Sequence, residues 1–219
     1  MTTIAVARLD GRVAIAADTR VKHGYTNVSS SKYLLDESKI LRVGANVFAI
    51  TGGANWGLVL ESYFNSLVEL PALDSRLAIF AALGDLHDSL KARYQFAAPA
   101  DEEEGFEKTN LSVLLANPSG IYGISPMRDV SVYARFFALG CGYRYALGAM
   151  HAVYDGADSP TAVVRAGIAA SAEFDEDTGL PIEVHEIGLD PLWDGRSASP
   201  EPPLCALGET QDQLAGRAG

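Results

Sequence analysis

The chain has 219 residues, of which 48% are hydrophobic and 21% charged, and its formal net charge is −11. This composition is typical of a globular protein and is enough for one domain with a sizeable core. The excess of acidic residues leaves no surplus of cations to neutralise the phosphates of a nucleic acid, so nucleic-acid binding is not expected.

The sequence gives no indication of a metal site, a disulfide framework or a membrane-spanning segment. The two cysteines are too few for a disulfide framework, and the four histidines are too scattered for a zinc site. The N-terminus lacks the basic and apolar regions of a secretory signal, and no apolar run is long enough to span a bilayer. We expect a soluble, cytoplasmic protein with no metal and no cofactor.

The first quarter of the chain predicts two β-hairpins separated by a loop. The first consists of TIAVARL (3–9) and RVAIAAD (12–18), joined by the turn signal Asp10-Gly11. The Ser- and Gly-rich segment HGYTNVSSSK (23–32) is predicted to be a loop. The second hairpin lies within SKILRVGANVFAITGGA (38–54), with its turn at Gly44-Ala45-Asn46 and its end at Gly52-Gly53.

Two helices are predicted next. The segment ANWGLVLESYFNSLVEL (54–70) has apolar residues at helical spacing, and Pro71 is predicted to end the helix. Asp74 is the predicted N-cap of a second helix that reaches about Tyr94. The acidic run DEEEGFEK (101–108) is predicted to be a charged surface loop.

The second half of the chain predicts a further block of strands, a further pair of helices and a last strand. The strands are LSVLLAN (111–117), GIYGIS (120–125) and VSVYARFFALG (130–140), the helices span 142–155 and 159–174 with Ser159 as an N-cap, and IEVHEIGL (182–189) is the last strand. From Asp190 onward the chain is rich in Pro, Gly, Ser and Ala and has no clear period. We therefore expect one domain over 1–189 and a mobile tail over 190–219.

The order of these elements indicates the fold class. Strands gathered in blocks, with helix pairs between the blocks, argue against a parallel sheet built from βαβ units. They favour an α+β fold in which two antiparallel sheets are covered by layers of helices.

The threonine that follows Met1 is the first candidate for chemistry. A threonine hydroxyl is a poor nucleophile without a base, but a chain-terminal threonine carries its own base in the α-amine, whose pKa is about 7.7–8.0 when unperturbed. Removal of Met1, which is usual before a small residue, would make Thr2 both nucleophile and base. The alternative is that Thr2 only begins a strand.

Three other places in the chain support the catalytic interpretation. A hairpin closed at Asp10-Gly11 returns Asp18 close to Thr2, and Lys39, at the start of the next strand, can reach both. A lysine paired with a carboxylate stabilises an alkoxide, and Gly52-Gly53 before a helix can offer N–H groups to an oxyanion. Taken singly, Asp18 can equally cap a loop, Lys39 can be solvated, and the glycine pair can be a tight turn.

Together these residues resemble the proteasome β-subunit and HslV-type peptidases, which are N-terminal-nucleophile (Ntn) hydrolases. The resemblance rests on TTIAVARLDGRVAIAADTR, SKI, ITGGA and LGCGY, and it extends from Thr2 to about Leu189. With only Met1 before Thr2 the chain looks more like HslV, whereas the long loop before Lys39 and the tail look unlike HslV. Together these features resemble the β-proteobacterial proteasome homologues. The fold that the family implies is a four-layer αββα sandwich.

The resemblance also implies a role for each matching residue. Thr2 is the nucleophile, Asp18 and Lys39 activate it, and Gly52 supplies the oxyanion-hole N–H. Cys141 replaces the serine of the family's Gly-Ser-Gly turn, and a thiol hydrogen-bonds only weakly. Asp175, Thr178 and Gly179 match the family's Asp, Ser and Gly, with threonine in place of serine.

Substrate contacts follow from the same resemblance. Val21 and Lys22 fall where the family's backbone pairs with an extended substrate. The pocket for the side chain before the cleaved bond would be formed by Val21, Glu37, Leu41, Ile50, Ala54 and Leu58.

The family implies a threonine peptidase that works inside stacked homo-oligomeric rings of six or seven subunits and cleaves proteins or peptides. The chain has no P-loop pattern, so an unfolding AAA+ ATPase would be a separate partner. Two alternatives remain: a ring-forming scaffold subunit with weak or no activity, which the Cys141 replacement favours, and a small-molecule amidohydrolase of the same fold.

Overall fold

The structure is a computed structural model, and it describes residues 2–29, 33–35, 38–94, 108–109 and 111–191. The described strands are β1 (Thr3–Leu9), β2 (Arg12–Asp18), β3 (Arg20–His23), β4 (Thr26–Ser29), β5 (Ile40–Val43), β6 (Asn46–Thr51), β7 (Ser112–Asn117), β8 (Gly120–Ile124), β9 (Val130–Val132), β10 (Phe136–Gly140) and β11 (Ile182–Gly188). The described α-helices are α1 (Trp56–Asn65), α2 (Arg76–Tyr94), α3 (Tyr143–Val153) and α4 (Pro160–Phe174).

These elements form four layers, which confirms the predicted α+β sandwich. A four-stranded sheet has the order β10-β1-β2-β11, a five-stranded sheet has the order β5-β6-β7-β8-β9, and the pairings within both are antiparallel. Helices α3 and α4 cover the first sheet, and α1 and α2 cover the second. Apolar side chains from the facing strands, such as Ile4, Ile15 and Leu114, fill the space between the sheets.

The N-terminal hairpin forms as predicted. Asp10 and Gly11 both have positive φ, at 48° and 71°, which is the geometry of a two-residue turn that matches the twist of the strands. The turn fixes the register, so Ile4 lies opposite Ala17. Thr2, Thr3 and Asp18 therefore meet at the open end of the hairpin.

Most of the later elements are also confirmed. The β5–β6 and β7–β8 hairpins, helices α3 and α4, and β11 lie where they are predicted, within a few residues. Ser159 caps α4 by accepting a hydrogen bond from the Ala162 amide at 3.2 Å. The predicted tail lies outside the described residues from 192 onward, as do residues 101–107 of the predicted surface loop.

The prediction of a loop over 23–32 is wrong for the first part of that segment. Strands β3 and β4 pair antiparallel around Gly24 and Tyr25, and Gly24 has a φ of 60°. These strands form their own two-stranded sheet. Because these strands are mostly polar, a prediction based on hydrophobic alternation does not detect them.

The single strand predicted over 130–140 is two strands in different sheets. β9 pairs with β8 in the five-stranded sheet, and β10 pairs with β1 in the four-stranded sheet. Between them the Tyr133 amide still bonds to the five-stranded sheet, through the Ile121 carbonyl, and the Arg135 carbonyl already bonds to Arg8 in β1. Continuous β-type composition gives no sign of such a crossing.

Two predicted helix boundaries are also wrong. Helix α1 ends at Asn65 rather than at Pro71, because the Ser66 hydroxyl donates to the Tyr63 carbonyl at 2.7 Å and competes with the helical pattern. Helix α2 is capped by Ser75, whose hydroxyl accepts from the Ala78 amide at 3.3 Å. The Asp74 carbonyl instead accepts from the Tyr122 hydroxyl.

Candidate active site

The Asp18 carboxylate organises the open end of the N-terminal hairpin. It is fully buried and accepts four hydrogen bonds. Oδ1 accepts from the Thr3 amide at 2.9 Å and from Lys39 Nζ at 2.8 Å, and Oδ2 accepts from the amides of Arg20 and Gly179, each at 3.1 Å. Because a carboxylate has about four acceptor positions, this set satisfies it completely.

Lys39 is held by this carboxylate immediately before β5. Burial lowers the pKa of the Lys39 ammonium below its ordinary value, and the neighbouring Asp18 opposes that shift. The Lys39 side chain is 13% exposed and lines the same cleft as Thr2. A cation beside a buried hydroxyl-bearing residue can stabilise an alkoxide electrostatically.

The turn that contains Cys141 closes over the first two threonines. The Cys141 amide donates to the Thr2 carbonyl at 2.8 Å, and the Gly142 amide donates to Thr3 Oγ1 at 2.9 Å. Gly140 has a φ of 100°, and a β-carbon there would lie 1.9 Å from the Thr2 carbonyl oxygen. Glycine is therefore required at this turn, whereas the Cys141 residue itself is exposed.

Asp175 and Thr178 reach the same point from the end of α4. The Thr178 hydroxyl donates to Asp175 Oδ2 at 2.5 Å and lies 2.6 Å from Thr3 Oγ1. Thr178 is fully buried. The structure thus brings Thr2, Asp18, Lys39, Cys141, Asp175 and Thr178 together around one hairpin end.

An open cleft lies beside Thr2. Of the predicted substrate-contacting residues, Val21, Lys22, Ile50 and Ala54 line it, and the cleft also includes Gly52 and Gly53. Leu41 packs instead against the core beneath α1 and α2, and Leu58 is 72% exposed on α1, so neither is among the lining residues. Glu37 lies outside the described residues.

Several residues at the site were missed by sequence reasoning. The Thr3 hydroxyl contacts the Gly142 amide and the Thr178 hydroxyl. The Ser171 hydroxyl donates to the Gly142 carbonyl at 2.9 Å. Asp177 forms an ion pair with Lys22, which was itself predicted as a substrate contact. Thr3 had a signal in the double threonine of the N-terminus, but its partners lie more than 130 positions away in the chain. Ser171 and Asp177 had no local signal.

Within the described part of the chain, no group of three or more His, Cys, Asp or Glu residues is placed to hold a metal ion. None of the described helices is long and apolar enough to cross a membrane.

Comparison with known proteins gives matches among solved structures. BPH, a bacterial proteasome homologue from Thiobacillus denitrificans, is 42% identical with a TM-score of 0.80, and the match covers 87% of this chain and 100% of that one. The same protein has been solved in complex with epoxomicin. HslV from Trypanosoma brucei matches at 16% identity and a TM-score of 0.59, over 85% of this chain and 99% of that one, which supports the fold.

No protein-family model matches the chain, and the search of curated proteins gives no match. The 42% identity to BPH, over the full length of that chain, nevertheless shows which family the chain belongs to, and the Ntn-hydrolase architecture agrees with it. The chain belongs to the proteasome β-subunit and HslV-type family, as a relative of the bacterial proteasome homologue BPH.

Proposed function

We propose that this proteasome-type subunit is a threonine endopeptidase whose nucleophile is Thr2 after removal of Met1. The observation that carries the proposal is the buried Asp18 carboxylate, which holds Lys39 Nζ and the Thr3 amide on the same oxygen, directly beside Thr2. Family membership adds that this constellation belongs to an Ntn-hydrolase fold.

The reaction begins with attack by the Thr2 hydroxyl oxygen on the carbonyl carbon of a peptide bond. The hydroxyl proton passes to the free α-amine of Thr2, and Lys39 stabilises the negative charge on the oxygen as it develops. The carbonyl oxygen becomes an oxyanion that accepts a hydrogen bond from the Gly52 amide. The bond to the leaving amine then breaks, and that amine takes the proton from the α-ammonium.

The product of this step is an ester between Thr2 and the acyl half of the substrate. Water attacks the ester, and the α-amine accepts a proton from that water. The bond between Thr2 Oγ1 and the acyl carbon then breaks, the α-ammonium returns its proton to Oγ1, and the acid product leaves. Asp175 and Thr178 hold the surroundings of the α-amine by hydrogen bonds, and Cys141 adds a weak donor there.

Substrate binds along Val21 and Lys22 as an added strand, and Ile50 and Ala54 form the apolar wall of the pocket for the side chain before the cleaved bond. Leu41 and Leu58 are not among the residues that line the cleft. Glu37 remains a prediction from the family pattern.

The catalytic assignment is tested with wild type, Thr2→Ala and Thr2→Ser. Wild type is expected to have lost Met1, to hydrolyse a fluorogenic peptide, and to gain the mass of one epoxomicin molecule per chain. Thr2→Ala should lose hydrolysis and the adduct without losing assembly, and Thr2→Ser should keep part of the activity. Equal hydrolysis by wild type and Thr2→Ala would contradict the assignment.

The assembly that we propose is a pair of stacked homo-oligomeric rings that encloses the cleft, with any AAA+ unfoldase as a separate protein. Twelve or fourteen copies of the 23.3 kDa chain give a mass of roughly 280 or 330 kDa under closed symmetry. Light scattering measures this directly, and monomer mass at micromolar concentration would exclude the cage. An assembled ring with Met1 removed but no hydrolysis and no adduct would favour the scaffold alternative.

A further inference from the structure

Thr3 occupies a fully buried position next to the proposed nucleophile. Its hydroxyl contacts two turns that are far apart in the sequence. The Gly142 amide, at the start of α3, donates to Thr3 Oγ1 at 2.9 Å, and Thr178 Oγ1, beyond the end of α4, lies 2.6 Å from the same atom. One hydroxyl therefore joins both turns.

The direction of each hydrogen bond in this chain follows from the donors available. An ionised carboxylate only accepts, so the single hydroxyl hydrogen of Thr178 is used by Asp175 Oδ2, at 2.5 Å. Thr178 Oγ1 must then accept from Thr3 at 2.6 Å. Thr3 Oγ1 has then donated its only hydrogen to Thr178 Oγ1 and accepts a hydrogen bond from the Gly142 amide. The chain runs in one direction, from Gly142 through Thr3 and Thr178 to Asp175.

Both turns touch groups that the proposed reaction uses. On one side, the Cys141 amide donates to the Thr2 carbonyl at 2.8 Å. On the other, the Gly179 amide donates to Asp18 Oδ2 at 3.1 Å. A change in the spacing of the turns would thus displace Thr2, Asp18 or both.

The fit around the Thr3 hydroxyl leaves little room for adjustment. A β-carbon on Gly142 would lie 2.9 Å from Thr3 Oγ1 and 2.7 Å from the β-carbon of Ser171. The Ser171 hydroxyl also donates to the Gly142 carbonyl at 2.9 Å, which ties the turn to α4 a second time. The turn is therefore clamped between Thr3 and Ser171.

We propose that Thr3 is a positioning residue, whose hydroxyl sets the spacing between the turn at 140–142 and the turn at 175–179 and so the placement of Thr2 against Asp18. This inference rests on the proposed function of Thr2. A methyl group in place of the hydroxyl keeps the volume but leaves the Gly142 amide and Thr178 Oγ1 without their partner.

The experiment compares Thr3→Val with Thr3→Ser, which keeps the hydroxyl. The matched control is Thr109→Val, because Thr109 is also buried and its hydroxyl lies 3.0 Å from His87 Nδ1, remote from the cleft. For each assembled protein we would measure kcat, KM, the rate of epoxomicin adduct formation and the melting temperature. Hydrogen exchange of peptides that cover 140–142 and 175–179 is measured in parallel.

For Thr3→Val we expect kcat and the adduct rate to fall by about tenfold or more, with KM changed by less than about threefold, because misplaced reacting groups lose rate rather than binding. Hydrogen exchange should become faster in both turns. Thr3→Ser should keep kcat within about threefold of wild type. Thr109→Val should lower the melting temperature without a change in kcat or in exchange at the two turns.

A purely structural Thr3 predicts a different result, in which Thr3→Val resembles Thr109→Val in every kinetic measurement. That result, or unchanged exchange at both turns, would overturn the inference. If Thr3→Val does not assemble, Thr3→Cys keeps a weak donor and should give an intermediate loss of kcat; wild-type kcat for that variant overturns the inference equally. A wild type with neither hydrolysis nor adduct overturns the proposed function, and hydrogen exchange then decides separately whether Thr3 couples the turns.

Discussion

The two helix–sheet interfaces of the molecule are built from side chains of different size. Beneath α3 and α4 the buried residues of the sheet are mostly alanine, namely Ala5, Ala7, Ala14, Ala16 and Ala138. Beneath α1 and α2 the core contains Phe48, Trp56, Tyr63, Phe64 and several leucines, and a small apolar cavity lies among them. Small side chains let helix and sheet backbones approach closely, whereas large ones hold them further apart.

The groups that form the hydrogen bonds of the candidate site lie mainly on the side of the alanine-rich interface. Gly142 at the start of α3, and Ser171 and Asp175 at the end of α4, all belong to the closely packed layer. The other helix layer contributes a lining residue of the cleft, Gly57. We infer that the alanine-rich interface fixes the geometry of the site, whereas the aromatic-rich interface mainly stabilises the fold.

The largest effect on turnover is expected from Gly140→Ala, in the closely packed half. The added β-carbon would lie 1.9 Å from the Thr2 carbonyl oxygen, which is backbone and cannot move aside, and the φ of 100° is itself unfavourable for alanine. Strain and overpacking together should cost about 3 kcal/mol or more of unfolding free energy. Peptide hydrolysis should be lost, and thermal melting should detect the destabilisation.

The matched control for Gly140→Ala is Gly188→Ala. Gly188 ends β11 in the same sheet, and a β-carbon there meets nothing within 4 Å. Its unfolding free energy should change by less than about 1 kcal/mol and its turnover should stay at the wild-type level. Equal losses in the two variants would mean that close approach at Thr2 is not the cause.

A second large effect is expected from Lys39→Ala. Removing the ammonium leaves the fully buried Asp18 carboxylate without its counter-ion, and breaking a buried pair costs about 3–5 kcal/mol. Turnover should fall to background because Thr2 also loses its neighbouring cation. Melting and hydrolysis assays on the same preparation measure both losses.

Arg12→Ala is the control for Lys39→Ala. Arg12 lies at the other end of β2 and pairs with Glu186 at 3.0 Å, but both side chains are more than a third exposed. Exposed pairs contribute about 0–1 kcal/mol, so this variant should melt near the wild type and keep its turnover. A Lys39→Ala protein with normal melting and hydrolysis would place Lys39 on the solvated surface.

Local signals in the sequence predict much of this closely packed half. Asp10-Gly11 fixes the register of the first hairpin, and the register alone places Asp18 beside the start of β1. Lys39 could be placed because it directly precedes the first strand of the second predicted hairpin. Those two local features are enough to locate the main ion pair of the site.

The remaining parts of the site depend on contacts that no local pattern encodes. The partners of the Thr3 hydroxyl lie 139 and 175 positions away, and its own signal is a threonine at the start of a strand. The division of 130–140 between two sheets follows from tertiary packing. Leu58 has helical apolar spacing, yet it is 72% exposed on α1 and is not among the residues that line the cleft.

The smallest effect on turnover, and the sharpest test of the two interfaces, comes from Gly167→Ala compared with Leu83→Ala. A β-carbon at Gly167 in α4 would lie 2.7 Å from the buried Met150 side chain and 3.3 Å from the Ala146 carbonyl oxygen, both in α3, so the contact between the two helices must readjust. Overpacking of this kind costs about 1–3 kcal/mol, partly offset by the better helix propensity of alanine. Because α4 ends at Phe174, directly before Asp175, we expect kcat to fall by about threefold to tenfold. Leu83 instead lines the apolar cavity beneath α1 and α2, and Leu83→Ala should cost about 2–5 kcal/mol by enlarging that cavity. Its kcat, measured well below its melting temperature, should equal that of the wild type.

The variant that is more destabilised should therefore be the more active one. A larger loss of kcat in Leu83→Ala than in Gly167→Ala would show that the alanine-rich interface does not set the geometry of the site while the aromatic-rich interface sets stability.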